Sequence, residues 1–353
     1  MSDAPTFLLD CRWLGPSGKG RATELLLRGL GELEPPGTWI LWGPTEVASH
    51  LWRGARHELN DRDPMAMWGQ GDARRIPPHD VALYPFQVRP LLRGPSVTLI
   101  HDTIQTRYDG NPVELQLKRV FLRQVAARST RILTPSEFSR SMIERDLGAP
   151  ASKIDVFRYP VDEDLVKRVH AAREELAPRD ALLYVGQFAP YKNLDRLIRA
   201  FGESRFAADG GELLLVGENS QRAHRLEKLA RTLQPPGVRV QGSVTQERLD
   251  ELYATCRALV LPSLEEGFGL PAWEAMSVGL PLCVSDRGAL PEIVLDADAR
   301  FDPTSIPEIA RHIDRVTASA AEIAGPALPP NAGSFRAFAA DVLSSLGLVV
   351  DPR

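Results

Sequence analysis

The sequence has few cysteines, no long apolar run and no strong excess of charge. Its three cysteines, Cys11, Cys256 and Cys283, are too few and too widely spaced for a disulfide framework or a zinc site, so we expect buried free thiols. The first residues lack the basic stretch and apolar core of a signal peptide. No apolar run reaches the roughly 18 residues that would span a bilayer. These absences favour a reduced, cytoplasmic compartment.

Charge and length narrow the class of protein further. The 42 Lys and Arg residues are balanced by 46 Asp and Glu residues, which leaves a net charge of −4. Nucleic-acid-binding domains are usually strongly basic, so nucleic acid is not an expected partner. The chain has 353 residues, enough for about two domains. Its 43% of apolar and 25% of charged residues are typical of a globular protein and exclude a disordered one.

Short apolar runs alternate with amphipathic segments along the chain, about five in each half. The runs predict strands at 6–10, 38–43, 81–85, 96–102, 131–136, 181–186, 212–217, 238–242, 258–263 and 280–286. Unbroken apolar strands separated by helices, such as those predicted at 23–33 and 335–346, indicate parallel sheets that are covered on both faces. The predicted fold class is α/β, with two doubly wound, Rossmann-like domains that face each other across a cleft.

The charged, proline-containing segment 157–180 marks the expected boundary between these domains. We predict an N-terminal domain at 1–165, a C-terminal domain at 166–330, and a final helical segment at 331–353 that can pack back on the N-terminal domain. The polar segment 57–80 is rich in Gly and Pro and is expected to form a surface loop, with a mobile substrate loop as the alternative.

The most informative segment is 258–286, which reads as a strand, a glycine-containing loop and a helix that starts near Pro271. Such a loop presents free backbone N–H groups to an anion at the start of the helix. Glu266 lies in the loop and Glu274 about one turn into the helix, where each carboxylate can accept hydrogen bonds from sugar hydroxyls. Taken singly, either glutamate is more readily explained by the preference of helix N-termini for negative charge.

The string EGFGLPAWE (266–274) resembles the E-x7-E signature of glycosyltransferase family 4, whose members are retaining enzymes of the GT-B fold. The resemblance continues in the family's order over most of the chain and is closer in the second half. Its other segments are 8–30, 96–108, 131–162, 182–201, 212–220 and 238–263. It implies a nucleotide-sugar-dependent hexosyltransferase with the donor on the second domain and the acceptor on the first.

The resemblance also implies roles for single residues. Glu274 would bind the ribose hydroxyls of the donor, and Glu266 the hydroxyls of the transferred sugar. Lys192, in the string YKN before a helix, would neutralise the departing diphosphate, and His101 would point towards the sugar; these two residues and Glu266 form the predicted catalytic set. The remaining donor contacts would come from Gly18, Gly20, Gly186, Gln187, Gly267, Phe268, Gly269 and Leu270. Base recognition is expected around 217–220 and 242–244.

The chain departs from the family pattern at two positions. Gln187 stands where many relatives have an arginine, so a second cation for the diphosphate would have to come from elsewhere, with Arg21 and Arg287 as candidates. Lys19 stands where an apolar residue is common, in a glycine-containing segment (16–21) that is a plain structural turn on the alternative reading. For His101, the alternative is a strand-end histidine that bonds only to backbone.

No Asp-x-Asp motif stands out as a metal site, so neither a metal nor another cofactor is expected. The donor is then a co-substrate, with GDP-mannose favoured and UDP- or dTDP-sugars as alternatives. The acceptor would be a glycan, a lipid-linked glycan or a small-metabolite hydroxyl, as in polysaccharide biosynthesis.

A basic segment offers a further partner. Residues 115–136 contain no acidic side chain and carry Lys118, Arg119, Arg123, Arg128 and Arg131. The spacing of Leu117, Val120, Phe121 and Val125 predicts one apolar helical face. The helix at 115–131 is therefore a candidate for peripheral contact with the inner face of the cell membrane, the alternative being that it packs on its own sheet.

Three other functions remain open on the sequence. These are a catalytically weak pseudo-enzyme that binds a nucleotide-sugar, a membrane-recruited scaffold, and another GT-B enzyme such as an epimerase or an inverting transferase. Product stereochemistry separates the last from a retaining transferase.

Overall fold

A computed structural model of the chain describes residues 4–12, 14, 18–43, 50–59, 75–92, 94–108, 110–157, 159–218, 220–233, 237–318, 327–329 and 332–348. The chain divides into two compact units. The first consists of Met1–Val161 together with Asn331–Arg353, and the second of Asp162–Pro330. The predicted boundary after residue 165 therefore falls inside the helix that opens the second unit, Glu163–Glu175.

The first unit is built on a seven-stranded parallel sheet. Its strands are β1 (Thr6–Asp10), β2 (Thr38–Gly43), β3 (Arg56–Leu59), β4 (Val81–Tyr84), β5 (Ser96–Leu99), β6 (Arg131–Thr134) and β7 (Ile154–Val156). They lie in the order β3-β2-β1-β4-β5-β6-β7. β5 is buried along its whole length, as expected for a strand covered on both faces. The helices are α1 (Gly18–Leu33), α2 (Gln105–Tyr108), α3 (Pro112–Arg128) and α4 (Glu137–Leu147).

The second unit is built on a six-stranded parallel sheet. Its strands are β8 (Arg179–Val185), β9 (Glu212–Val216), β10 (Val238–Gln241), β11 (Cys256–Leu261), β12 (Leu282–Ser285) and β13 (Arg300–Phe301). They lie in the order β10-β9-β8-β11-β12-β13. The helices are α5 (Glu163–Glu175), α6 (Leu194–Glu203), α7 (Arg205–Ala208), α8 (Ser220–Leu233), α9 (Gln246–Thr255), α10 (Leu270–Ser277), α11 (Leu290–Ile293) and α12 (Ile306–Ala318). Two parallel α/β sheets confirm the predicted fold class.

The expectation of about five strands in each half was too low. The strands that it missed, β3, β7 and β13, all lie at sheet edges and are two to four residues long. An edge strand is partly solvated, so it needs no continuous apolar run and leaves a weak pattern in the sequence. The loop prediction for 57–80 was wrong at residues 57–59, which belong to β3, and residues 60–74 lie outside the described ones.

The last helix, α13 (Phe335–Ser345), belongs to the first unit. A Cβ added at Gly29 of α1 would lie 2.1 Å from the carbonyl oxygen of Phe335, so glycine allows the two helices to approach closely. Phe338 of α13 is fully buried, and its ring lies 4.8 Å from that of Phe157. The C-terminal helix thereby completes the core of the N-terminal unit.

Helix α3 presents apolar side chains on both sides. Leu122 and Val125 are buried in a cluster with Ile132 of β6, and Phe121 packs against that cluster. Val113, Leu117 and Val120 are instead exposed, by 68%, 51% and 45%. The predicted single apolar face of Leu117, Val120, Phe121 and Val125 was therefore wrong, because Val125 faces the core while Leu117 and Val120 face outward. No helix in the described ranges is both long and apolar enough to cross a membrane.

The three cysteines are buried free thiols, as predicted. Burial raises the pKa of Cys256 and of Cys283 to about 12, and that of Cys11 well above its usual value. These thiols therefore stay protonated and serve as small core residues.

Candidate active site

The second sheet has a switch point between β8 and β11. From β8 the chain continues to β9 and β10 on one side, whereas from β11 it continues to β12 and β13 on the other. Ligands of doubly wound sheets bind outside the carboxyl ends of the strands at such a point. The segments that follow β8 and β11 contain Lys192 and Glu266, and the structure brings these two residues together.

Lys192 and Glu266 form an ion pair. Lys192 Nζ lies 2.6 Å from Glu266 Oε1, and the two side chains are only 13% and 9% exposed. Ser263 Oγ donates a second hydrogen bond to the same oxygen, at 2.7 Å. In the described ranges, no hydrogen bond reaches Glu266 Oε2. One carboxylate oxygen is thus fixed, and the other can accept a bond from a ligand hydroxyl.

A tight turn positions Lys192 against the loop after β11. Pro190–Lys192 form one 3-10 turn, and Asn193 takes a left-handed φ of 61° before α6 begins. The Asn193 Nδ2 donates to the carbonyl oxygens of Pro262 at 3.0 Å and Pro303 at 2.7 Å. Asparagine tolerates left-handed backbone better than most residues, which explains the motif YKN at this turn.

A third segment supports the backbone of Glu266. Gly288 has a φ of +67°, and a Cβ there would lie 2.5 Å from the Glu266 nitrogen. The N–H of the next residue, Ala289, donates to the Glu266 carbonyl oxygen at 3.0 Å. Only glycine satisfies both the backbone angle and the contact. Gly288 was not predicted as part of the site, because a single loop glycine carries no pattern that reveals its neighbour in space.

Helix α10 begins at Leu270, next to the predicted start at Pro271. Gly269 precedes it with a left-handed φ of +93°, which favours glycine, and a Cβ there would also lie 2.6 Å from Leu290 Cδ2. The first turn of a helix has N–H groups without intrahelical partners and a positive dipole end. The segment from Gly267 through Phe268 to Leu270 therefore has the backbone features of an anion site.

Glu274 lies in the second turn of α10 and is half-buried. Its Oε2 accepts a hydrogen bond from the hydroxyl of Tyr253 at 2.8 Å. Tyr253 belongs to α9 and is fully buried. Tyr253 was not predicted as part of the site, because a tyrosine on an apolar helical face is usually a core residue.

Close backbone packing shapes the end of β8. A Cβ at Gly217 would lie 1.8 Å from the carbonyl oxygen of Gly186, so this approach requires glycine. Gly186 itself has a φ of +149°, and the Tyr184 hydroxyl donates to the carbonyl oxygen of Gln187 at 3.0 Å. The Gln187 side chain is exposed and brings no positive charge to this turn.

The two segments predicted for base recognition are joined by a hydrogen bond. Ser243 Oγ donates to Glu218 Oε1 at 3.1 Å, and the Glu218 carbonyl oxygen accepts from the N–H of Phe188 at 2.9 Å. Asn219, within the segment 217–220, lies outside the described residues. The bonds connect the loops that follow β8, β9 and β10.

His101 lies in the first unit, directly after β5 and Ile100. Its Nε2 is 3.2 Å from the carbonyl oxygen of Pro85, and its backbone N–H donates weakly to Gln87 Oε1. A carbonyl only accepts, so Nε2 carries the proton and Nδ1 retains a lone pair. Burial lowers the pKa of His101, partly offset by the Pro85 hydrogen bond. The imidazole is therefore neutral near pH 7. Asp102 accepts from the N–H of Ile104 and so shapes the loop.

The loop interpretation of 16–21 needs correction. Helix α1 begins at Gly18, so Gly18, Lys19 and Gly20 belong to its first turn, while residues 16 and 17 lie outside the described ones. Gly18 and Gly20 therefore lie at the start of a helix and not in a free loop. Arg21 pairs with Glu24 of the same helix at 3.0 Å.

The other candidate for a second cation is also paired with acids. Arg287 lies 3.1 Å from Asp286 and 3.4 Å from Asp302. The Arg287 side chain is half exposed and the two carboxylates about two fifths exposed, so these ion pairs contribute little stability.

A buried ion pair at the end of β1 went unrecognised. Arg12 Nε and Nη2 donate to the two carboxylate oxygens of Asp10 at 2.9 and 2.7 Å, and both side chains are almost completely buried. The guanidinium carbon lies 4.2 Å from the centre of the Trp42 ring. The sequence signal was an acidic residue at the end of a buried strand with a basic residue two positions later, at the carboxyl end where α/β folds bind their ligands.

In the part of the chain that the structure describes, no group of three or more histidine, cysteine, aspartate or glutamate side chains could hold a metal ion. Metal-independent action stays a prediction, since it concerns turnover.

Comparison with known proteins addresses family and fold. Residues 168–323 match the family model "Glycosyl transferases group 1". The chain is similar to O-antigen chain mannosyltransferase B of Escherichia coli, with 34% identity over 62% of this chain and 60% of that protein. It is also similar to O-antigen chain mannosyltransferase RfbU of Salmonella typhimurium, with 27% identity over 61% of this chain and 58% of that protein. The matched regions thus span about three fifths of these relatives.

Solved structures bear on the fold alone, because their sequences are distant. Anabaena Alr3699/HepE in complex with UDP and glucose has a TM-score of 0.68 at 16% identity, over 98% of this chain and 96% of that one. WaaG, a glycosyltransferase involved in lipopolysaccharide biosynthesis, has a TM-score of 0.66 at 15% identity, over 90% and 91%. With the parallel sheets of both units, these findings establish the GT-B fold, and the family match places residues 168–323, most of the second unit, in the glycosyl transferases group 1 family.

Proposed function

We propose that this chain is a retaining glycosyltransferase that moves a hexose from a nucleotide-sugar to a hydroxyl of a glycan or a lipid-linked glycan. The observation that carries the proposal is the cluster of Lys192, Glu266 and Ser263 at the switch point of the second sheet, beside the start of α10. A lysine, a carboxylate with one unengaged oxygen and a helix N-terminus match the diphosphate and the hydroxyls of a nucleotide-sugar.

In this proposal each group acts on a different part of the donor. Lys192 and the N–H groups from Gly267 to Leu270 stabilise the diphosphate as it leaves, since preorganised charges act most strongly in partly desolvated sites. Glu266 accepts hydrogen bonds from the hexose, and Glu274 from the ribose. His101, neutral and with Nδ1 as an acceptor, receives a hydrogen bond from a sugar hydroxyl.

The transfer step exchanges one bond at the anomeric carbon for another. The bond from C1 to the diphosphate oxygen breaks, and the acceptor oxygen bonds to C1 on the same face. The acceptor proton passes to the departing diphosphate oxygen, which leaves a nucleoside diphosphate and a retained anomeric configuration. We expect an oxocarbenium-like transition state and no glycosyl-enzyme intermediate.

The choice of donor and acceptor rests on the relatives. Several are named as mannosyltransferases, among them O-antigen chain mannosyltransferase B and MMP alpha-(1->4)-mannosyltransferase of Mycolicibacterium hassiacum. We therefore propose GDP-mannose as the donor and an O-antigen-type glycan as the acceptor, with UDP- and dTDP-sugars as the alternatives. Action in the cytoplasm is part of the same proposal.

The proposal is tested by incubating the protein with GDP-, UDP- and dTDP-hexoses and mannosylated acceptor glycans. Release of nucleoside diphosphate, with a product whose anomeric configuration by NMR matches that of the donor, supports it. Inversion at C1 refutes the retaining mechanism. Nucleotide-sugar binding without any transfer favours the pseudo-enzyme, for which the neutral Gln187 is the specific observation. Lys167→Ala, which removes an exposed lysine of α5 outside the site, is the control for lysine variants of the site and should keep the wild-type activity.

We further propose that α3 contacts an anionic membrane surface and so brings the protein to a lipid-linked acceptor. The exposed side chains of Val113, Leu117 and Val120 recur at intervals of four and three residues, which aligns them on the outward side of the helix. Lys118, Arg119, Arg123 and Arg128 belong to the same helix. An outward apolar stripe with basic residues is the pattern of interfacial helices.

Liposome co-sedimentation tests this contact. Each basic residue near an anionic surface contributes about 1 kcal/mol, so Arg119→Gln with Arg123→Gln should weaken binding to vesicles with phosphatidylglycerol roughly thirtyfold. Leu117→Gln with Val120→Gln should weaken it as well. Leu295→Gln is the matched control, because Leu295 is 59% exposed in the other unit. Equal binding to neutral and anionic vesicles, or no effect of the α3 variants, would refute the contact.

A further inference from the structure

A buried hydroxyl holds the second glutamate of the 266–274 pair. Tyr253 is fully buried on α9, and its hydroxyl lies 2.8 Å from Glu274 Oε2. A buried phenol needs a partner for its proton, and an ionised carboxylate can only accept, so Tyr253 is the donor. This bond joins α9, which precedes β11, to α10, which follows the loop after β11.

The two glutamates are therefore held in different ways. Glu266 is fixed by a cation, Lys192, and by the hydroxyl of Ser263. Glu274 accepts a hydrogen bond from the hydroxyl of Tyr253. This hydroxyl is neutral, so it orients the carboxylate without neutralising its charge. A carboxylate has about four lone-pair sites, and Tyr253 uses one of them. A carboxylate whose direction is fixed in this way is suited to receive two neighbouring hydroxyls from a ligand.

We infer that Tyr253 is the positioning residue of Glu274 for recognition of the ribose diol. The inference rests on the proposed function, in which Glu274 binds the ribose hydroxyls of the donor. It adds that the strength of this recognition depends on a residue of another helix that touches no part of the donor. A side chain locked by a second hydrogen bond binds its ligand more tightly because less freedom is lost on binding.

The test compares ligands with and without the diol. GDP and UDP are each titrated beside their 2′,3′-dideoxy analogues, with affinity measured by calorimetry. We expect the wild-type chain to prefer the ribose form about tenfold or more, as for a hydrogen bond to a charged group. In Tyr253→Phe this preference should fall to about threefold or less, while the affinity for the dideoxy form stays unchanged. A merely structural role would weaken both forms equally.

Kinetics and controls separate the possible outcomes. With a full nucleotide-sugar, Tyr253→Phe should raise the donor KM by about threefold or more and leave kcat nearly constant. Tyr159→Phe, which removes the hydroxyl of another buried tyrosine in the other unit, should change neither quantity. Glu274→Gln should lose the preference for the diol.

Each failure has its own signature. Full diol preference in Tyr253→Phe, beside its loss in Glu274→Gln, overturns the inference and leaves the proposed function intact. Diol preference retained in Glu274→Gln overturns the role of Glu274 and the inference together. Absence of any nucleotide binding by the wild-type chain overturns the proposed function itself.

Discussion

Removing the amino group of Lys192 tests the candidate active site most directly. Lys192→Ala leaves Glu266 Oε1 with the Ser263 hydroxyl alone, in surroundings where both members of the ion pair are about nine-tenths buried. Exposed pairs contribute at most about 1 kcal/mol, while breaking a fully buried pair costs about 3–5 kcal/mol. For this mostly buried pair we expect the free energy of unfolding to fall by about 2 kcal/mol, which leaves the chain folded.

The effect on transfer should be larger than the effect on stability. Removal of one preorganised charge from a developing anion costs on the order of a hundredfold in rate. We therefore expect kcat to fall at least that far at saturating GDP-mannose, measured as release of nucleoside diphosphate, while urea unfolding shows the modest loss of stability. Lys167→Ala should keep both values. Turnover by Lys192→Ala within threefold of the wild type would refute the assignment of the diphosphate cation.

The remaining predictions concern the supports of the site. Ser263→Ala removes one of the two bonds to Glu266 Oε1, and kcat should fall about tenfold with circular dichroism unchanged; an unchanged rate contradicts the support. Gly288 and Gly279 both have a φ of +67°, but only a Cβ at position 288 would meet Glu266. Gly288→Ala should therefore lower the free energy of urea unfolding clearly more than Gly279→Ala does, and equal losses would contradict the contact. Burial lowers the pKa of His101 from its usual 6.5, so as pH falls the unfolded chain takes up a proton at this residue before the folded chain does. The free energy of unfolding should therefore decrease as pH falls below about 6.5. His101→Gln should flatten this dependence when unfolding is measured across the pH range, and an unchanged dependence would contradict it.

The fold was predictable where burial dictates the sequence. The central strands β1, β5, β8 and β11 are apolar runs because neighbouring strands and helices cover them, and each was predicted from its run. The edge strand β3, with Arg56 and Glu58, contains no such run. The predicted apolar face of α3 was wrong for another reason. Periodicity shows where apolar residues recur, but only packing decides which of them reach the core.

The candidate site was predictable in its motif residues and not in their supports. Glu266, Gly269 and Glu274 belong to one short string, so spacing and resemblance identify them together. Tyr253 and Gly288 act through contacts that close only in three dimensions. The same limit applies to the cations. Charge alone made Arg21 a candidate, and only the structure pairs it with Glu24.

The pairing of Lys192 with Glu266 also suggests how the site could stabilise the negative charge of a diphosphate although Gln187 is neutral. Two partly buried opposite charges are stable only while each has a partner. When a nucleotide-sugar enters, its hexose hydroxyls can donate to Glu266 while its phosphate oxygens accept from Lys192, so each ion exchanges one partner for another. Glu266→Gln removes the competitor of the phosphate and keeps an amide for the sugar. We therefore expect this variant to bind inorganic pyrophosphate at least as tightly as the wild type while its transfer rate falls about a hundredfold; weaker pyrophosphate binding in calorimetry would contradict the exchange.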